Sequence, residues 1–555
     1  MQLNVSFFGT PIRFPSFAQD KKCNAMKRFV VLSLIPLLVL GACERDGGPE
    51  GDPSRNPKEV YHGMIQLGDK LEDPYTVENM QEALTKVYPT KAGRYDITAT
   101  DLYVRFLPED DAQLRQLKAK DIYLMDHPFD YQILREGDYY QDPEVGEKAI
   151  TWQYAVVPQD FSFPEGIRYE LLDECYLAEH DPSTRGDLGI DWKRVEQEAF
   201  RLTGNEDLWV PETKAESQAP SGRITIEDPD FSGGKPFGVA GVKVVCNVFV
   251  KIGTCYTDRD GYYKMGKTFS GTPRYRLVFQ NEKGFNIGIN YIVVPASVST
   301  LGTGGPEGID VNVNEESDPA LFRRCAVNNA AYDYYSRCVD TDLDILTPPD
   351  DLRIWIFPSL TCSSTCMLHH EAFLGNELLG TYLRACLEPY SELVIFLIKL
   401  FSPDVTIGTK ENGYKEIYEH VVHEMAHASH YAQVGNGYWN SYIEYVIKSF
   451  IQNRNSYGAG GEGSGWCELG EMWGYFMQAT LSKDRYGGNL ASYGNTFWFK
   501  PDILSHLYNR GISRSMIFRA LGPEVTHVDS LKKQLVSLCP DREREIQETF
   551  RSYGK

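Results

Sequence analysis

The sequence lacks long apolar runs, internal repeats and an excess of positive charge. Its most continuous apolar stretch, residues 29–40, is too short to cross a bilayer, which needs about 20 residues. Lys and Arg total 56 against 77 Asp and Glu, and the net charge of −21 makes the surface a poor candidate for binding nucleic acid or anionic lipid. The absence of a fixed repeat period excludes solenoid architectures.

The remaining composition is that of an ordinary globular protein. The chain has 555 residues, 42% apolar and 24% charged, which is enough for about three domains. The order of helical and strand patterns predicts a multidomain α+β fold. We expect an N-terminal α/β domain over residues 60–210, a β-sandwich over 223–297 and a mostly helical domain over 318–555.

The short apolar stretch is typical of an export signal. Lys27-Arg28 precedes it, and Leu40-Gly41-Ala42-Cys43 follows it. The ending resembles the lipobox of bacterial lipoproteins, which implies cleavage before Cys43 and acylation of that residue; an ordinary signal with a chance Cys is the alternative. Residues 1–25 are then an upstream extension, 26–42 the signal and 43–59 a flexible tether. The expected location is the outer membrane, lipid-anchored and surface exposed.

The domain over residues 60–210 shows clear local patterns but no catalytic constellation. The patterns predict helices at 77–87 and 110–119 and strands at 102–107 and 122–125. Its histidines are isolated in sequence and are interpreted as structural. The domain is expected to be a spacer, with an inhibitory pro-segment as the alternative.

After a polar linker at 211–222, the chain has an all-β pattern. The G-V-x-V strand at 241–244 and the T-D-x-x-G-Y segment at 257–262 resemble transthyretin-like β-sandwich modules of bacterial surface proteins. The resemblance implies a hairpin turn at the second segment. A D-x-D-G turn alone is too weak a pattern to predict calcium binding. Residues 298–318 are predicted to be a further connection.

The motif that carries chemistry is His423-Glu424-Met425-Ala426-His427, an H-E-x-x-H sequence. Residues i and i+4 share one face of a helix, so His423 and His427 can offer two imidazoles to one metal ion. Glu424 lies about 100° round the helix, where it can act on a metal-bound water. The motif therefore predicts a metal-dependent hydrolase.

The surrounding sequence supports the helix that this motif requires. Residues 415–431 contain neither Pro nor Gly and carry an apolar stripe, and Gly435 is the expected end. A further helix is predicted at 438–451, followed by a helical tail. Strands are predicted at 352–357 and 405–409, and one of them is expected to be the sheet edge where an extended peptide pairs.

A catalytic zinc site needs a third protein ligand. The metzincin pattern fails, because His430 and Gln433 stand where it requires Gly and His. The segment Glu471-Met472-Trp473-Gly474-Tyr475-Phe476 resembles the Glu-x-aromatic-small-x-aromatic run that carries the third zinc ligand of many gluzincin metallopeptidases. This favours Glu471 over Glu468, which is expected either to orient a ligand histidine or to be the ligand itself.

Taken together, these motifs resemble gluzincin-type zinc metallopeptidase lipoproteins of Gram-negative bacteria. The resemblance implies a zincin domain with Zn²⁺ on His423, His427 and Glu471, and hydrolysis of a peptide or protein substrate with Glu424 as general base. One position departs from the pattern, since Tyr475 stands where many gluzincins have an Asp. The alternative is a surface adhesion or glycan-binding lipoprotein on a zincin scaffold, against which the intact Glu424 argues.

Two features are left open by the sequence. One is the group that stabilises an oxyanion, for which the candidates are His430, Tyr457, Tyr475, His506 and His527. The other is cysteine chemistry, because disulfides are allowed in an exported protein. The pairs considered are Cys246 with Cys255, Cys325 with Cys338, and Cys362 with Cys366. A second zinc site at Cys362, Cys366, His369 and His370 has irregular spacing, which favours a structured loop.

Overall fold

A computed structural model describes residues 4–7, 10–13, 63–92, 95–146, 149–185, 189–209, 219–288, 298–339, 343–358, 360–370, 402–410, 412–453, 457–458 and 460–555. The predicted signal, Cys43 and the tether lie outside the described residues. Strands β1 (Asn4–Phe7) and β2 (Thr10–Arg13) pair as an antiparallel hairpin. Within the described ranges, no helix is both long and apolar enough to cross a membrane.

The part spanning residues 63–209 combines two small antiparallel sheets with helices. Its strands are β3 (Gln66–Lys70), β4 (Asp101–Leu107), β5 (Tyr131–Arg135), β6 (Gln153–Pro158) and β7 (Arg168–Cys175). Its helices are α1 (Val77–Val87), α2 (Pro89–Ala92), α3 (Asp111–Lys118) and α4 (Trp192–Leu202). Strand β3 pairs with β5, and β4 lies between β6 and β7.

Both predicted helices of this part are confirmed, and one of its two predicted strands is. Thr76 caps α1 and Asp110 caps α3, each accepting a backbone N–H that has no partner within its helix. The strand predicted at 122–125 is wrong, since only Met125 forms an isolated bridge, with Tyr154. The apolar side chains of Ile122 and Leu124 pack against the sheet, but the segment does not add a strand to it.

Within the described residues from 219 to 313, nine strands follow. They are β8 (Ser221–Ile226), β9 (Phe237–Gly238), β10 (Val242–Val248), β11 (Lys251–Tyr256), β12 (Tyr262–Lys264), β13 (Arg274–Asn281), β14 (Asn286–Gly288), β15 (Val298–Thr303) and β16 (Val311–Val313). One sheet has β10 between β11 and β13, with β15 also on β13; the other has β8 between β12 and β16, with β9 also on β8. The connection expected at 298–318 thus contains two strands of these sheets.

The T-D-x-x-G-Y segment forms a tight turn, but not a hairpin. The Asp258 side chain accepts the backbone N–H groups of Asp260 and Tyr262, each at 2.9 Å. Strand β11 before the turn pairs with β10, whereas β12 after it pairs with β8. The predicted hairpin is therefore wrong, and the turn carries the chain from one sheet to the other.

The C-terminal part is mainly helical and shares a sheet with the preceding part. Its strands are β17 (Arg353–Phe357), β18 (Ser364–Thr365) and β19 (Val405–Gly408). Its helices are α5 (Pro319–Cys338), α6 (Tyr414–Asn453), α7 (Gly465–Tyr486), α8 (Asp502–Asn509), α9 (Arg514–Arg519), α10 (Val528–Leu538) and α11 (Glu543–Ser552). Strand β14 pairs in parallel with β17, so one sheet continues across the expected domain boundary.

The edge strand of this sheet differs from the expectation. Strand β17 lies between β14 and β19, and β19 lies between β17 and β18, so neither predicted strand is an edge. Among the described strands, the two-residue β18 forms this end of the sheet, antiparallel to β19, and β11 forms the opposite end. Alternating hydrophobicity predicts that a strand exists but carries no information about its neighbours.

Buried ion pairs fasten the N-terminal part to the rest. Arg353 in β17 donates to Asp111 at the start of α3 at 2.9 Å, and Arg324 in α5 pairs with Asp138 at 3.0 Å. One continuous apolar core runs from the N-terminal part through the sheets to α6 and α7. These contacts join the N-terminal part to the sheets and to the helices that follow them.

The considered disulfides do not form. Cys246 stands opposite Gly253, and Cys255 opposite Val244, so the two cysteines are out of register. Cys325 and Cys338 lie on one helix, about 20 Å apart, whereas a disulfide needs Cα atoms within about 7 Å. Cys362 and Cys366 are also free.

Candidate metal centre

Two packed helices bring the three predicted metal ligands together. Helix α6 carries His423 and His427 one turn apart, and α7 carries Glu471. The indole N–H of Trp473 on α7 donates to the Ala426 carbonyl on α6 at 3.1 Å, which fixes the helices against each other. All three candidate ligands are buried.

The ligand atoms are spaced as the corners of one metal site. The two Nε2 atoms of His423 and His427 are 3.0 Å apart. Glu471 Oε2 lies 3.6 Å from His423 Nε2, and Glu471 Oε1 lies 3.8 Å from His427 Nε2. Bonds of about 2.0–2.2 Å to a tetrahedral ion imply ligand separations of about 3.4 Å. The group could therefore hold a metal ion.

Unsatisfied polar atoms of the cluster also fit a cation. Among the described residues, Glu471 Oε2 has no hydrogen-bond partner although Glu471 is fully buried. A buried carboxylate oxygen without a partner is costly, and a positive ion between it and the imidazoles removes that cost. The residues present thus match what a bound metal requires.

Further side chains form hydrogen bonds with the candidate ligands and orient them. Gln478 Oε1 lies 3.1 Å from His423 Nδ1, and the Tyr442 hydroxyl donates to Glu471 Oε1 at 2.5 Å. A partner on Nδ1 leaves Nε2 of His423 as the metal-binding nitrogen. Glu468, expected to orient a histidine or to be the ligand, instead forms an ion pair with Lys555.

A glycine allows α7 to approach the histidines. A Cβ atom added to Gly474 would lie 2.8 Å from His423 Nε2 and 3.0 Å from His427 Nε2. Real Cβ atoms essentially never come within 3.0 Å of another heavy atom. The ligand nitrogens therefore leave no room for a side chain at Gly474, which explains the glycine of the E-x-x-G segment.

The candidate base Glu424 is buried beside the ligands and bonded to the edge strand. The Thr365 hydroxyl in β18 donates to Glu424 Oε2 at 2.7 Å. Burial raises the pKa of Glu424 to about 8, while His423 and the Thr365 hydroxyl act in the opposite direction. The ionised form that a general base needs is thus favoured by positive charge at the ligands.

The pKa values of the two imidazoles are shifted in opposite directions. Burial lowers the pKa of His427 well below its usual range, and His423 beside it acts in the same direction. Burial also opposes the charged form of His423, but the Glu471 and Glu424 carboxylates outweigh it and raise that pKa. A metal-binding imidazole must be neutral, and of the two it is His427 whose neutral form the surroundings favour.

Two of the five oxyanion candidates lie at the site. The Tyr475 ring packs 4.7 Å from that of His423, and its hydroxyl lies 3.2 Å from that of Tyr457. Burial and the Glu471 carboxylate hold the pKa of Tyr475 well above its usual range, so the hydroxyl stays a proton donor. Tyr475 is therefore a buried hydroxyl donor beside His423.

The other three candidates are placed differently. The buried His430 packs against Tyr438 and Trp439. His506 lies 3.1 Å from the Tyr553 hydroxyl, and His527 stands at the start of α10.

The second zinc site considered from the sequence, at Cys362, Cys366, His369 and His370, is a structured loop. His369 Nε2 pairs with Asp351 at 2.9 Å, and Asp404 accepts the backbone N–H groups of His369 and His370. Cys362 and Cys366 are not gathered with these histidines into a metal-binding group. The preferred interpretation of the sequence is thus consistent with the structure.

Sequence reasoning missed Thr365, Tyr442 and Gln478. Gln478 follows Glu471 by seven residues, which is two helical turns on one face, so helical periodicity could have found it. Tyr442 and Thr365 reach the site from other elements. No local sequence pattern predicts how those elements pack around the site.

Comparison of the chain with protein-family models, curated proteins and solved structures found no match. The functional argument therefore rests on the geometry of the site. Within the described ranges, His423, His427 and Glu471 form the one group of three His, Cys, Asp or Glu residues able to hold a metal ion.

Proposed function

We propose that the protein is a zinc-dependent metallopeptidase. The observation that carries the proposal is the convergence of His423 and His427 from α6 with Glu471 from α7, with Glu424 buried beside them. Two imidazoles and one carboxylate form the ligand set of the His₂Glu class of catalytic zinc sites, which keep an open fourth position. When bound, zinc lowers the pKa of water to about 7 and polarises a carbonyl group.

The chain's own residues supply the remaining chemistry. Glu424 accepts a proton from the attacking water and delivers it to the leaving amine. Tyr475 is a protonated hydroxyl beside His423 and can donate to a developing oxyanion. Burial of the cluster excludes bulk water, which strengthens each of these interactions.

The edge strand supports a peptide as the substrate. Among the described strands, β18 forms one of the two edges of the sheet, and its Thr365 contacts Glu424. An extended peptide binds by adding a strand to such an edge. We propose that the protein acts on peptides or proteins outside the cell, anchored to the outer membrane through acylated Cys43.

Exposed aromatic side chains would favour the adhesion alternative. Tyr256 and Tyr262 are exposed on either side of the turn between β11 and β12. However, Lys243 lies over the first ring and Arg223 over the second, so one face of each ring is already covered by the chain itself. These contacts give the alternative little support.

The test is metal removal and reconstitution with a peptide library. We expect chelator-treated protein to cleave nothing, and one equivalent of zinc to restore both cleavage and a single bound ion. Mass spectrometry of the library and metal analysis are run on the same samples. Protein that holds one zinc and cleaves no member of a broad library would contradict the proposal and favour the binding alternative.

A further inference from the structure

A single hydroxyl joins the edge strand to the candidate base. Thr365 Oγ1 lies 2.7 Å from Glu424 Oε2 and 3.0 Å from the Glu424 carbonyl oxygen. Both residues are buried, Thr365 at 2% and Glu424 at 1% exposure. The hydroxyl has one proton to donate, and an ionised carboxylate is the stronger acceptor.

Thr365 is itself held through its main chain. In the β18–β19 ladder it stands opposite Val405, and its carbonyl accepts the indole N–H of Trp439 at 3.2 Å. Trp439 is fully buried and lies in the second half of α6, beyond the break at Gly435, whereas the first half carries Glu424. The hydroxyl is thus fixed relative to the carboxylate from both the sheet and the helix.

We propose that Thr365 is a positioning residue for Glu424. Its hydroxyl holds Oε2 and leaves Oε1 to exchange the proton during hydrolysis, so the inference rests on the proposed function. A carboxylate without this restraint can rotate out of the productive geometry. Loss of the hydroxyl should therefore lower kcat and leave KM nearly unchanged.

Three variants distinguish an effect on the position of the Glu424 carboxylate from an effect on the structure of the strand. Thr365→Val removes the hydroxyl and keeps the branched shape, whereas Thr365→Ser keeps the hydroxyl. Thr406→Val is the matched control, because Thr406 in the neighbouring strand β19 bonds Ser364 at 2.7 Å rather than Glu424.

We expect Thr365→Val to lower kcat about 10- to 100-fold, with KM changed less than about threefold. Thr365→Ser should recover most of the rate, and Thr406→Val should match the wild type. Zinc content is measured in each. A Thr365→Val protein with wild-type kcat, or an equal loss in Thr406→Val, would overturn the proposal.

A second measurement does not depend on activity. In metal-free protein, the melting temperatures of Thr365→Val, Glu424→Ala and the double variant form a double-mutant cycle. Independent residues give additive shifts, whereas a bonded pair gives a double-variant shift smaller than the sum by about 2–4 °C. Additive shifts would overturn the contact. A wild type that cleaves no peptide would instead refute the proposed function and, with it, the catalytic use of this contact.

Discussion

Gly474→Ala should separate metal affinity from stability. The added methyl would meet His423 Nε2 at 2.8 Å, His423 Cε1 at 2.9 Å and His427 Nε2 at 3.0 Å. The two ligand nitrogens must therefore move, or α7 must withdraw from α6. Either movement disrupts the spacing of the ligand atoms, which now lie 3.0 to 3.8 Å apart.

The magnitudes of the two effects differ. Overpacking costs about 1–3 kcal/mol, but Ala is favoured over Gly inside a helix by about 1 kcal/mol. The net loss of stability is then at most about 2 kcal/mol, or roughly 4–8 °C in Tm for a unit of 150–250 residues. Displacing the metal ligands should weaken zinc binding at least about 100-fold, because even changes behind the ligands cost 10- to 100-fold.

The matched control is Gly470→Ala, one turn earlier on the same helix. A Cβ there finds its nearest neighbour, a ring atom of Tyr442, at 3.5 Å, which is ordinary contact. Zinc affinity is measured by competition with a chromophoric chelator and Tm by calorimetry. If Gly474→Ala binds zinc as tightly as Gly470→Ala does, the proposed packing of α7 against the ligands is wrong.

Two further predictions concern the anchor and the third ligand. Because Lys27-Arg28, the apolar stretch and Cys43 form a lipoprotein signal pattern, mass spectrometry of membrane-extracted protein should find acylated Cys43 as the mature N-terminus, and a chain retaining earlier residues would contradict this. Glu471→Ala should lose most of its zinc after dialysis, whereas Glu468→Ala should keep about one ion, because Glu468 pairs with Lys555. The reverse order in metal analysis would show that the third ligand is misassigned.

Much of the site could be predicted because its chemistry follows helical spacing. His423 and His427 are four residues apart, Glu471 lies in a recognisable segment, and Gly435 ends the first half of α6 with a φ of 75°. These features depend only on neighbours within a few turns. The same locality explains why the helices at Val77–Val87 and around the motif agree with the structure.

The rest depends on contacts between distant segments. Strand β14 pairs with β17 across more than 60 residues, which turns two expected domains into parts of one sheet. Strand β18 has only two polar residues, so no hydrophobic alternation marks it as the edge. Thr365 and Tyr442 reach Glu424 and Glu471 through that packing, and their spacing in sequence carries no signal.

The measurement that tests the central claim most directly is the turnover of Glu424→Gln. Glutamine keeps the size of Glu424 and can still accept the Thr365 hydrogen bond, but it cannot accept a proton at neutral pH. General acid–base catalysis contributes about 10²–10⁴-fold, so peptide turnover should fall at least about 100-fold. Zinc stoichiometry and Tm should change little, because Glu424 is not among the converging ligands. A Glu424→Gln protein that cleaves peptides as fast as the wild type would contradict the account.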